Sequence, residues 1–262
     1  MTKTDFLWAQ LKSLPAFRAI VRAAEARLFA RRLPLPHPVL DLGCGDGHFA
    51  QTALGRVAIG IDIDPANLAE AQPRHVYGSL VQASATAVPF AGQSFACLVS
   101  NCVIEHIPDM PAVFQEAARL LKPGGLFIFS VPTDRLNPSM FTPGVLNAIG
   151  ARRLAGKYMD WFTRMQVHYH LYSPDVWQKY AEAAGLRVIQ RTGYLSPRAA
   201  KFVELGHYLG IPNLLTRKLL GRWVVWPWRP RFALIEKVLT PLVLEHDPPG
   251  ATCCFFVAVK DQ

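Results

Sequence analysis

Residues 39 to 47 read Val-Leu-Asp-Leu-Gly-Cys-Gly-Asp-Gly, an apolar run that ends in three alternate glycines, Gly43, Gly45 and Gly47. Glycine takes up left-handed backbone without a side-chain penalty and lets a ligand press against main-chain N–H groups. A strand that opens into such a loop and then a helix belongs to an open α/β sheet, where ligands bind beyond the carboxyl ends of the strands. The spacing also limits the ligand. A dinucleotide loop, Gly-x-Gly-x-x-Gly, would need its third glycine where this chain has His48. The phosphate-cradling Gly-x4-Gly-Lys-Ser/Thr loop is absent. Asp41 and Asp46 flank the loop, which disfavours a polyphosphate and suits a ligand carrying positive charge.

The rest of the chain repeats the strand–helix rhythm. Strands are expected at 39–43, 57–62, 76–82, 95–100, 126–131, 187–194 and 252–260. Helices are expected at about 16–33, 47–54, from Pro65, at 111–121, and from Ser173 to a stop at Gly185. Alternation with apolar strands means a mostly parallel sheet covered on both faces. Two segments, about 132–170 and 196–250, are too long for ordinary connections and read as insertions or lids.

Composition excludes whole classes. Of 262 residues, 51% are hydrophobic and 18% charged, which a disordered chain does not carry. Mean hydropathy is +0.16, yet no run of 18 apolar residues suits a membrane-spanning helix. The five cysteines, Cys44, Cys97, Cys102, Cys253 and Cys254, form no Cys-x-x-Cys pair and read as buried thiols of a cytoplasmic protein. The N-terminus lacks the apolar core of a secretory signal. Twenty-eight basic residues against 19 acidic ones, a net charge of +9, favour anionic neighbours without choosing among nucleic acid, a lipid surface and an acidic substrate.

With these residues in view, the chain resembles the class I S-adenosylmethionine-dependent methyltransferases of the small-molecule branch. VLDLGCGDG is similar to that family's first motif and GIDID (60–64) to its second. LLKPGGLFIFSVP (120–132) resembles the turn before its fifth strand. The resemblance covers residues 36–132 well and 168–194 loosely. It implies a Rossmann-like, doubly wound, mostly parallel seven-stranded sheet with helices on both faces, an N-terminal helix and a helical insertion before the last strand. Together with the strand–helix pattern, the expected division is an N-terminal helical extension (1–35), a core (36–195 and 251–262) and an inserted helical lid or subdomain (196–250). The resemblance also implies S-adenosylmethionine as cofactor. Asp62 would bind the ribose hydroxyls, 19 residues after Gly43, close to the spacing of about 20 expected for a ribose-binding acid. Asp41, Gly43, Cys44, Gly45, Ile63, Ser84, Ala85 and Asn101 would complete the cofactor site. Ser84 stands where the family usually has an adenine-binding Asp, and Phe95-Ala96 replaces the usual Phe-Asp. Glu105-His106 looks like a pair that, in the ubiquinone-pathway O-methyltransferases, adjoins a metal-holding Glu. Cys102 occupies that Glu's position here, so no metal is expected.

His168 and His170 are the candidate general bases, since histidine titrates near neutrality and residues two apart on an extended segment face the same side. The alternative is a lid packed over the pocket, and a two-His metal site lacks a visible third ligand. Residues 213–245 interleave Trp223, Trp226 and Trp228 with Arg217, Lys218, Arg222, Arg229 and Arg231 and with many leucines. They read either as a segment lying in a membrane interface, at the inner surface, or as a subdomain packed on the core. Both readings point to a small, hydrophobic or lipid-like acceptor whose reacting atom (O, N or C) stays open. RNA methylation is an alternative raised by the charge. It is disfavoured because Asn101-Cys102-Val103-Ile104 is not a base-methylating signature and no RNA-binding motif is visible. A membrane-peripheral protein that binds the cofactor without catalysis is the other alternative.

Overall fold

The computed structural model describes residues 5–261. In chain order the helices are α1 (Phe6–Leu11), α2 (Ala16–Ala30), α3 (Pro65–Ala71), α4 (Met110–Leu120), α5 (Phe141–Ala148), α6 (Arg152–Met165), α7 (Pro174–Ala183), α8 (Pro197–Leu209), α9 (Ile211–Leu220) and α10 (Ala233–Leu244). The strands are β1 (Val39–Leu42), β2 (Val57–Asp62), β3 (Tyr77–Gln82), β4 (Phe95–Asn101), β5 (Leu121–Pro132), β6 (Leu186–Tyr194) and β7 (Cys253–Lys260). All seven strands lie where the apolar runs placed them, in one sheet ordered β3-β2-β1-β4-β5-β7-β6.

β1 pairs in parallel with β2 and with β4, β2 with β3, and β4 with β5, while β7 runs antiparallel to β5. The chain order reverses between β1 and β4, the point at which an open α/β sheet leaves a crevice beyond its strand ends. β1 is buried at every residue, as a central parallel strand covered on both faces must be.

Two local expectations are corrected. The Pro123-Gly124-Gly125 turn lies within β5 and shifts its register, so Phe95 pairs with Leu121 and Cys97 with Leu126. The helix expected at 47–54 contains a π-helical stretch at Ala50–Leu54, closed by Gly55 N–H donating to the Ala50 carbonyl at 3.0 Å.

The chain forms two compact units. One comprises Met1–Arg27, Arg135–Gln166 and Gly193–Thr252, the other Leu28–Asp134, Val167–Thr192 and Cys253–Gln262. The sequence-based division differs, because it left 135–166 inside the core. In the structure Phe162 of α6 clusters with Leu136, Met140 and Ala200 of α8, so both insertions and the N-terminal helices share one unit. Helical periodicity shows which face of a helix is apolar but not which remote helix will cover it. The other unit is built around Phe114, Phe127, Phe129, Phe256 and Trp177. Phe129 stacks on Phe256 with centroids 4.8 Å apart, and the Trp177 indole N–H donates to the Pro132 carbonyl at 3.2 Å. Each such side chain contributes about 1.5–3 kcal/mol by leaving water.

Candidate functional site

After Leu42 the backbone turns through Gly43 (φ 73°) and Gly45 (φ 55°), both left-handed. The N–H groups of Gly43 and Cys44 both donate to the Ile61 carbonyl of β2, at 2.9 and 2.8 Å. A Cβ at Gly43 would stand 2.5 Å from a Val103 methyl, whereas one at Gly45 would meet nothing within 4 Å. Packing requires the first glycine. Backbone conformation alone requires the second, and the space beside it is open.

Gly45 N–H donates to Asp62 Oδ2 at 2.8 Å. Asp62 Oδ1 accepts from Asp64 N–H at 2.9 Å and from the Asn67 amide at 3.1 Å. The ends of β1 and β2 are therefore held together by one buried carboxylate. Ile63, the next residue, is 71% exposed, unusual for a large aliphatic side chain in a well-packed unit.

Asp41 has a partner that the sequence reading missed. The Tyr77 hydroxyl, from β3, donates to Asp41 Oδ2 on β1 at 2.8 Å. Its ring crosses β2 at Gly60, where a Cβ would lie 2.8 Å from the ring carbons. A glycine inside a strand signals such a close approach, and Gly60 was that signal. Burial pushes the Asp41 carboxyl from 3.8 up to about 7, with the Tyr77 hydrogen bond opposing and the Asp62 charge adding to the rise. Burial and the same two carboxylates push the Cys44 thiol up as well, so Cys44 is a protonated packing residue. Asp46 is paired with Arg74 at 3.2 Å.

Ser84 follows β3, with its Oγ 2.8 Å from Thr86 Oγ1 and accepting Thr86 N–H at 3.2 Å, and Ala85 is buried behind this turn. Asn101 ends β4 and its Oδ1 accepts the Ser130 hydroxyl at 2.6 Å. The strand order brings these ends to the same edge of the sheet as the glycine loop.

The two histidines part company. His170 Nε2 faces the Ile107 and Pro108 carbonyls, both at 3.0 Å, and Nδ1 lies 3.2 Å from the Tyr172 hydroxyl. Both its nitrogens are engaged. His168 Nδ1 is buried with no hydrogen-bond partner. Burial, with His106 alongside, lowers the His168 pKa to about 4, so the ring is neutral at pH 7. His106 Nδ1 lies 3.0 Å from the Val167 carbonyl, and Tyr169 and His170 N–H both donate to the Glu105 carbonyl. Glu105, His106 and His168 thereby bring donor atoms within 4.8 Å of one another. The expectation of no metal rested on Cys102 in place of the family's Glu and on the lack of a third ligand beside His168 and His170; folding gathers a different group from two remote segments, without His170.

A family model described as a methyltransferase domain matches residues 14–191. The chain belongs to the class I S-adenosylmethionine-dependent methyltransferases. The ubiquinone biosynthesis O-methyltransferase of Methylobacterium nodulans is 32% identical over 189 residues, covering 66% of this chain and 71% of that protein. An uncharacterized methyltransferase of Mycobacterium sp. (strain KMS) is 36% identical over 123 residues, 46% of this chain and 48% of its own. The chain therefore spans about half the length of the mycobacterial relatives it matches. An S-adenosylmethionine-dependent methyltransferase of Thermotoga maritima aligns with TM-score 0.54 at 16% identity over 92% of this chain and 91% of that one. Haemonchus contortus phosphoethanolamine N-methyltransferase 2, in complex with phosphomonomethylethanolamine and S-adenosylhomocysteine, gives 0.54 at 20% identity over 91% and 52%. At such identities the likeness is one of fold. In this chain the glycine loop is supported by residues outside its motif, namely Tyr77, Gly60, Arg74 and Val103.

Proposed function

We propose that this methyltransferase transfers a methyl group from S-adenosylmethionine to an oxygen, nitrogen or carbon atom of a small hydrophobic or lipid-like acceptor. The observation that carries the reading is the left-handed loop whose Gly45 N–H is tied to Asp62 while the space beside Gly45 stays open. On this reading Asp62 receives the ribose hydroxyls, Ile63 covers a face of the adenine, and Ser84 and Ala85 meet its edge. Asp41 supplies negative charge for the cationic end, beside Gly43, Cys44 and Gly45, and Asn101 borders the same crevice.

Bound there, S-adenosylmethionine would supply an activated methyl on its sulfonium, given up to the acceptor with a neutral thioether as leaving group. The protein's own task is alignment, which can replace several kcal/mol of a bimolecular barrier. Where the acceptor must lose a proton, His168 is the better candidate to take it, because its Nδ1 has no hydrogen-bond partner, whereas His170 is held by backbone carbonyls. One relative is named an O-methyltransferase of ubiquinone biosynthesis, which supports oxygen before nitrogen or carbon.

Calorimetry tests the cofactor and release of S-adenosylhomocysteine tests the acceptor. Asp62→Ala should weaken S-adenosylmethionine binding by about 1.5–3 kcal/mol, the contribution of a charged hydrogen-bond acceptor. Across a panel of phenols, prenylated quinols and amines, His168→Gln should lose turnover with cofactor affinity intact, and His170→Gln should keep turnover. A folded wild type that binds no S-adenosylmethionine would overturn the reading.

A further inference from the structure

The +9 net charge is not spread over the molecule. The unit made of Met1–Arg27, Arg135–Gln166 and Gly193–Thr252 carries 18 Lys and Arg against 7 Asp and Glu, a net +11, while the unit holding the glycine loop carries 10 against 12, a net −2. Exposed large hydrophobic side chains follow the same division: 19 of 24 among the described residues belong to the basic unit. Basic charge and unburied apolar surface therefore coincide.

Helix α9 shows the pattern most sharply, because its amphipathicity is inverted. Asn213, Thr216 and Arg217 are half-buried, while Leu214, Leu215, Leu219 and Leu220 are exposed, Leu219 at 78%. Trp226 and Trp228 follow at 70% and 57%, among the exposed cations Lys218, Arg222 and Arg231. Trp223 instead lies under Arg18 and Arg217, 5.4 and 5.9 Å from its ring centroid. Water disfavours a leucine face turned outward. A lipid interface favours it, with Trp at headgroup depth and Lys and Arg on the anionic phosphates. Among the described residues no helix is long and apolar enough to cross a membrane, so the segment lies along the surface.

We propose that the face carried by α9 and the Trp226–Trp228 stretch docks on an anionic lipid bilayer. A nucleic acid would satisfy the cations but leave the leucines in water. The proposal stands whatever atom the enzyme methylates.

Sedimentation of the full chain with phosphatidylcholine vesicles, with and without phosphatidylglycerol, tests it. The wild type should bind the anionic vesicles and weaken about tenfold as salt rises from about 0.1 to 0.5 M, where screening shortens electrostatic reach. The triple variant Leu215→Ser, Leu219→Ser, Trp226→Ser should lose vesicle binding by a similar factor while keeping its melting temperature and S-adenosylmethionine affinity. No sedimentation of the wild type with anionic vesicles would overturn the proposal. So would equal binding by the variant, or a large fall in its melting temperature, which would mean that these side chains are buried. A wild-type dimer that the variant dissociates, with vesicles inert, would assign the face to a second copy. A salt-sensitive shift of RNA without vesicle binding would assign it to nucleic acid. Either result sinks the membrane assignment.

Discussion

Gly43 and Gly45 share a left-handed backbone but differ in what lies beside them, and that difference separates folding from binding. Gly43→Ala adds backbone strain of about 1–2 kcal/mol and a clash with Val103, so it should lower the melting temperature clearly. Gly45→Ala adds only the strain and should fold with a smaller loss, yet bind S-adenosylmethionine poorly because its methyl enters the open space. A thermal melt and calorimetry on the pair check this, and equal effects on binding and stability in both would refute it. Asp41 gives a pH signature. Folded, it keeps its proton up to about pH 7, while its ordinary value is 3.8. Its contribution to stability is thus full below pH 3.8 and is lost as pH rises through about 7. A bound cation favours the ionised form, so S-adenosylmethionine affinity should climb from about pH 5.5 to 8, with proton release. Asp41→Asn should flatten that climb; an unchanged profile would detach Asp41 from the ligand.

At the scale of single elements, buried polar anchors decide how helices meet. Glu204 of α8 is fully buried and accepts from the Phe141 and Thr142 N–H groups, which open α5, and from the Tyr158 hydroxyl of α6 at 2.5 Å. The first N–H groups of a helix have no partner within it, and here another helix's carboxylate supplies one. Glu204→Ala should cost about 3 kcal/mol in urea unfolding, because buried donors lose a charged acceptor. Glu204→Gln, which keeps a carbonyl in place, should cost about half as much. Equal costs for the two would show that the charge contributes nothing. No spacing rule exposes this anchor, since Glu204 lies 63 residues from Phe141 and reads in sequence as an ordinary helix-surface acid.

Across the whole molecule the proposed cofactor site and the proposed lipid face fall in different compact units. Hydrogen exchange followed by mass spectrometry should then show S-adenosylmethionine slowing exchange in peptides spanning 40–67 and leaving 197–244 unchanged. At about 100 times its Kd the ligand should add about 2.7 kcal/mol to the stability of whatever unfolds with its site. Protection spread evenly over both units would contradict the separation.

The sequence by itself determined the seven strands, the glycine loop and the acid Asp62 that closes the second strand. Those are local matters: a period-two or continuous apolar run, glycines that allow left-handed turns, and an acid closing the next strand. Only the tertiary structure decided that Tyr77 reaches Asp41 across Gly60, and that His168 joins Glu105 and His106 while His170 is held by carbonyls. It also decided that residues 135–166 leave the core for the N-terminal helices, and that α9 turns its leucines outward. Each of these depends on which remote side chain fills the space beside a given one. That is settled by three-dimensional packing, to which local spacing carries no reference.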